Sequence, residues 1–105
     1  MMDPILARFI KMLTDIKSKL SAIYLFGSRA RGDERPDSDY DLLLVVKPNF
    51  LRSDKTHLYD KVMDVLLETG RLISCKIFKE REFKRLCQMQ TPFMKNVLKE
   101  GVKIG

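Results

Sequence analysis

The residues best placed to do chemistry lie within positions 25–44, L-F-G-S-R-A-R-G-D-E-R-P-D-S-D-Y-D-L-L-L. Gly27-Ser28 closes an apolar run where a strand would give way to a short helical turn, with Gly32 a few residues on. Glycine at that junction lets a ligand approach the backbone. The exposed N–H groups of the turn and the Ser28 hydroxyl then form a site for phosphate oxygens. Asp39 and Asp41 are separated by one residue immediately ahead of a second apolar run, and Ser38-Asp39 forms the entrance to it. On an extended backbone the two carboxylates face together while Tyr40 faces away. Side by side they repel each other unless a cation lies between them. Hard oxygen ligands beside a phosphate-bearing substrate imply Mg²⁺, which would neutralise a triphosphate and orient its α-phosphorus for in-line attack. Taken singly, a Gly-Ser turn and an Asp-x-Asp are ordinary caps and solubilising residues. Their coincidence between two buried strands is what points to a site. G-S-R-A-R-G lacks the G-x-G-x-x-G spacing of dinucleotide loops, and Asp33 stands where an NTPase loop needs lysine.

These residues need elements to hold them. Ile5, Phe9, Met12, Leu13, Ile16 and Leu20 recur at helical intervals and predict a helix over Pro4–Lys19, with Asp3 as N-cap and Pro4 in first position. Ala22–Phe26 and Leu42–Val46 are short apolar runs without alternation, which predicts strands covered on both faces. Ser53 is placed to cap a helix over Asp54–Glu68, with Leu58, Tyr59, Val62, Met63, Val65 and Leu66 on its apolar side and Gly70 at its C-terminal end. Leu72–Phe78 reads as a third strand, and Glu80–Gln88 as a helix presenting Phe83, Leu86 and Cys87. Thr91-Pro92 opens a last helix that ends at Gly101, where Phe93, Met94, Val97 and Leu98 either pack on the sheet or form an apolar patch. The expected class is α/β (α+β): a small sheet with helices against it.

At 105 residues the chain has room for one domain, predicted to span 1–105. Its composition, 45% hydrophobic and 32% charged with 5 Gly and 4 Pro, excludes disordered and fibrous classes. The two cysteines, Cys75 and Cys87, are too few for a disulfide framework or a cysteine zinc site and read as thiols of a reducing compartment. No apolar stretch is long enough to span a membrane and the N-terminus is not a secretory signal, so a cytoplasmic protein is expected. The net charge of +6 resides in residues 71–105, which hold nine Lys/Arg against three Asp/Glu. Such a surface either solubilises or steers a polyanion, though it lacks the interleaved aromatics of a single-strand nucleic-acid platform. Arg29 and Arg31 lie within the loop and could reach phosphate oxygens. Asp33, Glu34, Arg35 and Asp37 read as a solvated loop, His57 as a surface residue, and Tyr24, Tyr40 and Tyr59 as either core or base-stacking groups.

Gly27-Ser28, ten intervening residues and Asp39-Tyr40-Asp41, with the ending Thr91–Gly101, resemble the minimal nucleotidyltransferases of the DNA polymerase β superfamily. The resemblance implies a mixed sheet with flanking helices, a polymerase β palm-like nucleotidyltransferase fold. It implies nucleotide binding at Gly27, Ser28, Arg29 and Arg31, with Asp39 and Asp41 as catalytic residues and Mg²⁺ ligands. It further implies ATP as substrate, AMP transfer to a protein or other hydroxyl acceptor, and an antitoxin role beside a small helical HEPN-type partner, with a homo-oligomer as the other assembly. Active members of the family place a third carboxylate on the next strand as general base and metal ligand. Here that strand offers Ser74 or Lys76, depending on register, and Glu68 and Glu80 flank it as substitutes, with Asp60 and Asp64 on the preceding helix. Losing a general base alone removes roughly 10²–10⁴-fold of rate. The alternative reading is therefore a catalytically weak or inactive nucleotide-binding or partner-masking subunit.

Overall fold

The computed structural model describes residues 3–32, 35 and 39–105. Helix α1 spans Pro4–Met12, with Asp3 as its N-cap accepting from the N–H groups of Ile5 (2.8 Å) and Leu6 (3.4 Å). The helix is shorter than the apolar periodicity predicts. It stops at Leu13, and the chain reaches the sheet through turns and a 3₁₀ segment at Lys17–Lys19. Thr14 and Asp15 are poor helix formers, yet Leu13 and Ile16 remain buried, so the same apolar spacing is satisfied by a tighter path.

The remaining elements follow in the predicted order, with one addition. Strand β1 covers Leu20–Phe26, the short α2 covers Ser28–Arg31, and β2 covers Tyr40–Val46. Next come α3 at Arg52–Thr69, β3 at Ile73–Lys79, α4 at Glu80–Met89 and α5 at Pro92–Glu100. A two-residue strand β4, Val102–Lys103, was not foreseen. It pairs antiparallel with Tyr24 and Leu25 of β1, an interaction made by tertiary contact and not by local propensity. The strand order is β3-β2-β1-β4; β1 and β2 are antiparallel and β2 and β3 parallel. The parallel pair needs a crossover, which α3 supplies. This is the mixed sheet with flanking helices that was expected.

Strand β2 organises the interior. Tyr40, Leu42, Leu44 and Val46 face a core with Leu6, Phe9 and Leu13 of the N-terminal segment and Leu58, Val62 and Val65 of α3. Leu43 and Val45 face the other way, toward Met94 and Val97 of α5. Tyr24 stacks on Phe83, and Phe26 meets Phe93 edge-on, which fastens α4 and α5 to that side. Of the apolar group predicted on the last helix, only Leu98 remains well exposed. Tyr59 and Met63 lie on the outer side of α3 and not in the core. Cys75 packs against the α1/α3 core, where burial pushes its thiol up to about 12 and leaves it unreactive at neutral pH. No helix among the described residues is long and apolar enough to cross a membrane.

The cap of α3 is not Ser53, which lies inside the helix. The buried Asp54 carboxylate instead accepts from the Leu51 N–H at 2.7 Å and from Lys19 Nζ at 2.9 Å, tying the helix start to the segment before β1. These two donors hold the Asp54 carboxyl below the usual carboxylate range, the backbone bond contributing most. A depressed folded-state pKa contributes stability above the ordinary carboxylate range that is lost as pH falls through it. Asp54→Ala is therefore expected to melt at a lower temperature than the wild type at pH 7, with the gap closing below pH 4. Thermal melts across that interval check the expectation.

Candidate functional site

The register between β1 and β2 places Phe26 directly across from Asp41, so the residue that follows Phe26 falls beside the Asp41 side chain. That residue is Gly27, with φ of 76°. A methyl group on Gly27 would lie 2.5 Å from Asp41 Oδ2. Glycine is thus required twice, by the positive-φ backbone and by the carboxylate against it. From Gly27 the chain turns into α2, whose Ala30 and Arg31 N–H groups both donate to the Gly27 carbonyl (3.1 Å). Ser28 opens this turn. Gly27 and Asp41, fourteen positions apart in sequence, are in contact range.

Asp41 is half-buried and Asp39, just outside the strand, is exposed. Burial raises the Asp41 pKa and the Asp39 charge raises it further, while Lys76 and then Arg31 act in the opposite direction. A partly desolvated Asp41 carboxylate beside the Asp39 charge is a group that a cation would stabilise. Both donors are carboxylate oxygens, and the Asp41 carboxylate is held against the Gly27 backbone, so the chemistry of the residues present fits a hard cation such as Mg²⁺. Among the described residues no group of three or more His, Cys, Asp or Glu side chains could hold a metal. Among the described residues, Asp39 and Asp41 are the carboxylates that would hold such an ion.

The other residues singled out in the sequence separate into two sets. Ser74 is paired with Asp41 and Lys76 with Leu43 across the parallel β2–β3 ladder, which settles the register left open by the sequence. Arg31 lies close enough for its charge to reach Asp41, and it also meets Glu100 Oε2 at 3.4 Å. Arg29, by contrast, lies 4.0 Å over the ring of Tyr40, on the opposite face of β2, with Asp3 Oδ2 at 3.7 Å. The Tyr40 hydroxyl donates to the same Asp3 carboxylate, and burial followed by that bond pushes its pKa up to about 12. No local pattern signals this cluster, because its members come from three separate elements. Glu68 pairs with Arg8 on the α1/α3 side. Glu80 accepts from Ser21 Oγ at 2.7 Å, at the far end of the sheet. His57 is exposed and meets Asp15 Oδ2 at 2.7 Å. Ser38, with Asp33, Glu34 and Asp37, lies outside the described residues.

Comparison with known proteins establishes the family. The profile of the family described as "Polymerase beta, Nucleotidyltransferase" matches residues 9–105, so the chain belongs to the polymerase β nucleotidyltransferase family of enzymes. Two Methanocaldococcus jannaschii proteins are related in sequence. "Putative protein adenylyltransferase MJ0604" is 33% identical over 85 residues, covering 81% of this chain and 78% of that protein. "Putative protein adenylyltransferase MJ0141" is 33% identical over 91 residues, covering 87% and 85% respectively. Among solved structures, a toxin-antitoxin with AMP-PNP superposes with a TM-score of 0.57 at 22% identity, covering 92% of this chain and 69% of that one. An MNT antitoxin complex with tri-AMPylated Shewanella oneidensis HEPN toxin gives 0.51 at 20% identity, covering 94% and 67%. At these identities the two structures establish a shared fold.

Two substitutions are expected to move stability in opposite directions. Gly27→Ala forces a side chain onto an extended, positive-φ backbone that glycine alone adopts readily, at a cost of about 1–3 kcal/mol, and displaces the Asp41 carboxylate, so urea denaturation should show a loss. Asp41→Asn removes a carboxylate whose ionised form the fold disfavours, and should melt higher than the wild type at pH 7. Because the folded-state pKa of Asp41 is raised, the wild type regains stability as pH falls and the carboxyl takes up its proton, and the two should converge in acid.

Proposed function

We propose that this chain binds ATP with Mg²⁺ and transfers AMP to a hydroxyl of a protein acceptor, and that it serves as the antitoxin of a HEPN-type partner. The observation that carries the chemistry is the contact between the Gly27-Ser28 turn and Asp41 at adjacent strand ends. It brings a phosphate-accepting backbone and an electrostatically loaded carboxylate to one point. The relatives named as protein adenylyltransferases support the reaction, and the toxin-antitoxin structures of the same fold support the partner.

In this reading Asp39 and Asp41 hold the magnesium ion, which would supply charge neutralisation to the phosphate chain. The turn at Gly27-Ser28 orients the triphosphate, and Arg31 adds positive charge from the Asp41 side. The acceptor oxygen forms a bond to the α-phosphorus as the bond to the bridging oxygen breaks. Pyrophosphate leaves, AMP is esterified to the acceptor, and the hydroxyl proton passes to a base or to water. Ser74, across from Asp41, cannot serve as a carboxylate base. That position favours a second reading in which nucleotide binding persists while transfer by the isolated chain is slow.

Calorimetry of ATP with and without Mg²⁺ tests the site. Wild type should bind Mg·ATP, and Asp39→Asn/Asp41→Asn should lose that affinity; equal binding by both would remove these residues from the site. Incubation with α-labelled ATP, alone and with a candidate HEPN-type protein, should label that partner on a denaturing gel. Binding without label on either chain would leave the masking role.

A further inference from the structure

The cation nearest in effect to Asp41 is Lys76. Side chains paired across parallel strands share a face and alternate along the strand, so Ser74 and Lys76 project to the Asp41 side while Cys75 and Ile77 enter the opposite core. Lys76 Nζ lies 5.9 Å from the centroid of Phe26, the residue paired with Asp41 and directly preceding Gly27. The ammonium group therefore reaches across from β3 toward the end of β1, over the mouth of the site. Of the charges acting on Asp41, Lys76 does the most to favour its ionised form. No carboxylate among the described residues forms an ion pair with Lys76.

We infer that Lys76 supplies a fixed positive charge to the phosphate chain, so that the site takes up a single divalent cation with its nucleotide. This rests on the nucleotide-binding reading above. The donor inventory supports it. One divalent cation is matched by the carboxylates of Asp39 and Asp41, whereas among the described residues a second would meet the neutral Ser74 hydroxyl, with no third carboxylate grouped with the pair. It would also lie against an ammonium. Lysine suits the substitution: a compact point charge on a flexible stem can meet a phosphate oxygen without a fixed coordination geometry. Its side chain is exposed, with no structural ion pair to give up when a ligand arrives.

The test uses the purified full chain, a non-hydrolysable ATP analogue, and Mn²⁺ as a paramagnetic probe counted by electron paramagnetic resonance. Wild type is expected to bind one Mn²⁺ per chain in the presence of the analogue. Lys76→Met should weaken analogue binding about ten- to a hundredfold, the scale of a charge-assisted hydrogen bond, and Lys76→Arg should restore most of it. Lys76→Glu should take up a second Mn²⁺. Two Mn²⁺ in the wild type, unchanged analogue affinity in Lys76→Met, or a single Mn²⁺ in Lys76→Glu would each overturn the inference while leaving nucleotide binding in place. A wild type that binds no analogue would overturn the nucleotide reading and this inference with it.

Discussion

The antiparallel register that sets Phe26 against Asp41 is the constraint on which the site depends. A slip of one residue would turn Asp41 into the apolar core and bring Tyr40 out beside Gly27. What prevents the slip is the burial of β2 on both sides, five consecutive residues from Leu42 to Val46 committed alternately to the two cores. The helices therefore do more than shield the sheet. By holding each β2 side chain to its own face, they fix the placement of the carboxylate one residue outside the apolar run.

The same strand sets the electrostatics of the candidate site. Asp41 is drawn partly out of water by its strand, while Asp39 remains in it. The fold thus holds one of the pair at an energetic disadvantage that a bound cation would relieve, a common division between stability and activity. The neighbouring positive groups, Lys76 from β3 and Arg31 from α2, temper the cost without removing it.

Much of this was readable in the sequence, for local reasons. The runs Ala22–Phe26 and Leu42–Val46 announce strands by composition, and Gly27 and Gly32 mark the turn. Asp3 and Thr91 were legible as caps because a cap lies next to what it caps. The rest depends on contacts between distant segments. Asp54 reaches back to Leu51 and across to Lys19, so Ser53, the residue that propensity favours, is displaced from the role. β4 exists only because β1 offers it an edge. Whether Ser74 or Lys76 stands across from Asp41 was open until the parallel ladder fixed the register.

Arg29 has a consequence of its own. Its guanidinium rests on Tyr40 and beside the Asp3 carboxylate that also caps α1, so the start of the first helix and the α2 turn share one anchor. A turn that opens on glycine would ordinarily sample many conformations and surrender them when a ligand ordered it. Here the tether holds the α2 turn in the folded chain. The entropy of ordering is then spent before any ligand arrives, leaving more of the contact energy to appear as affinity.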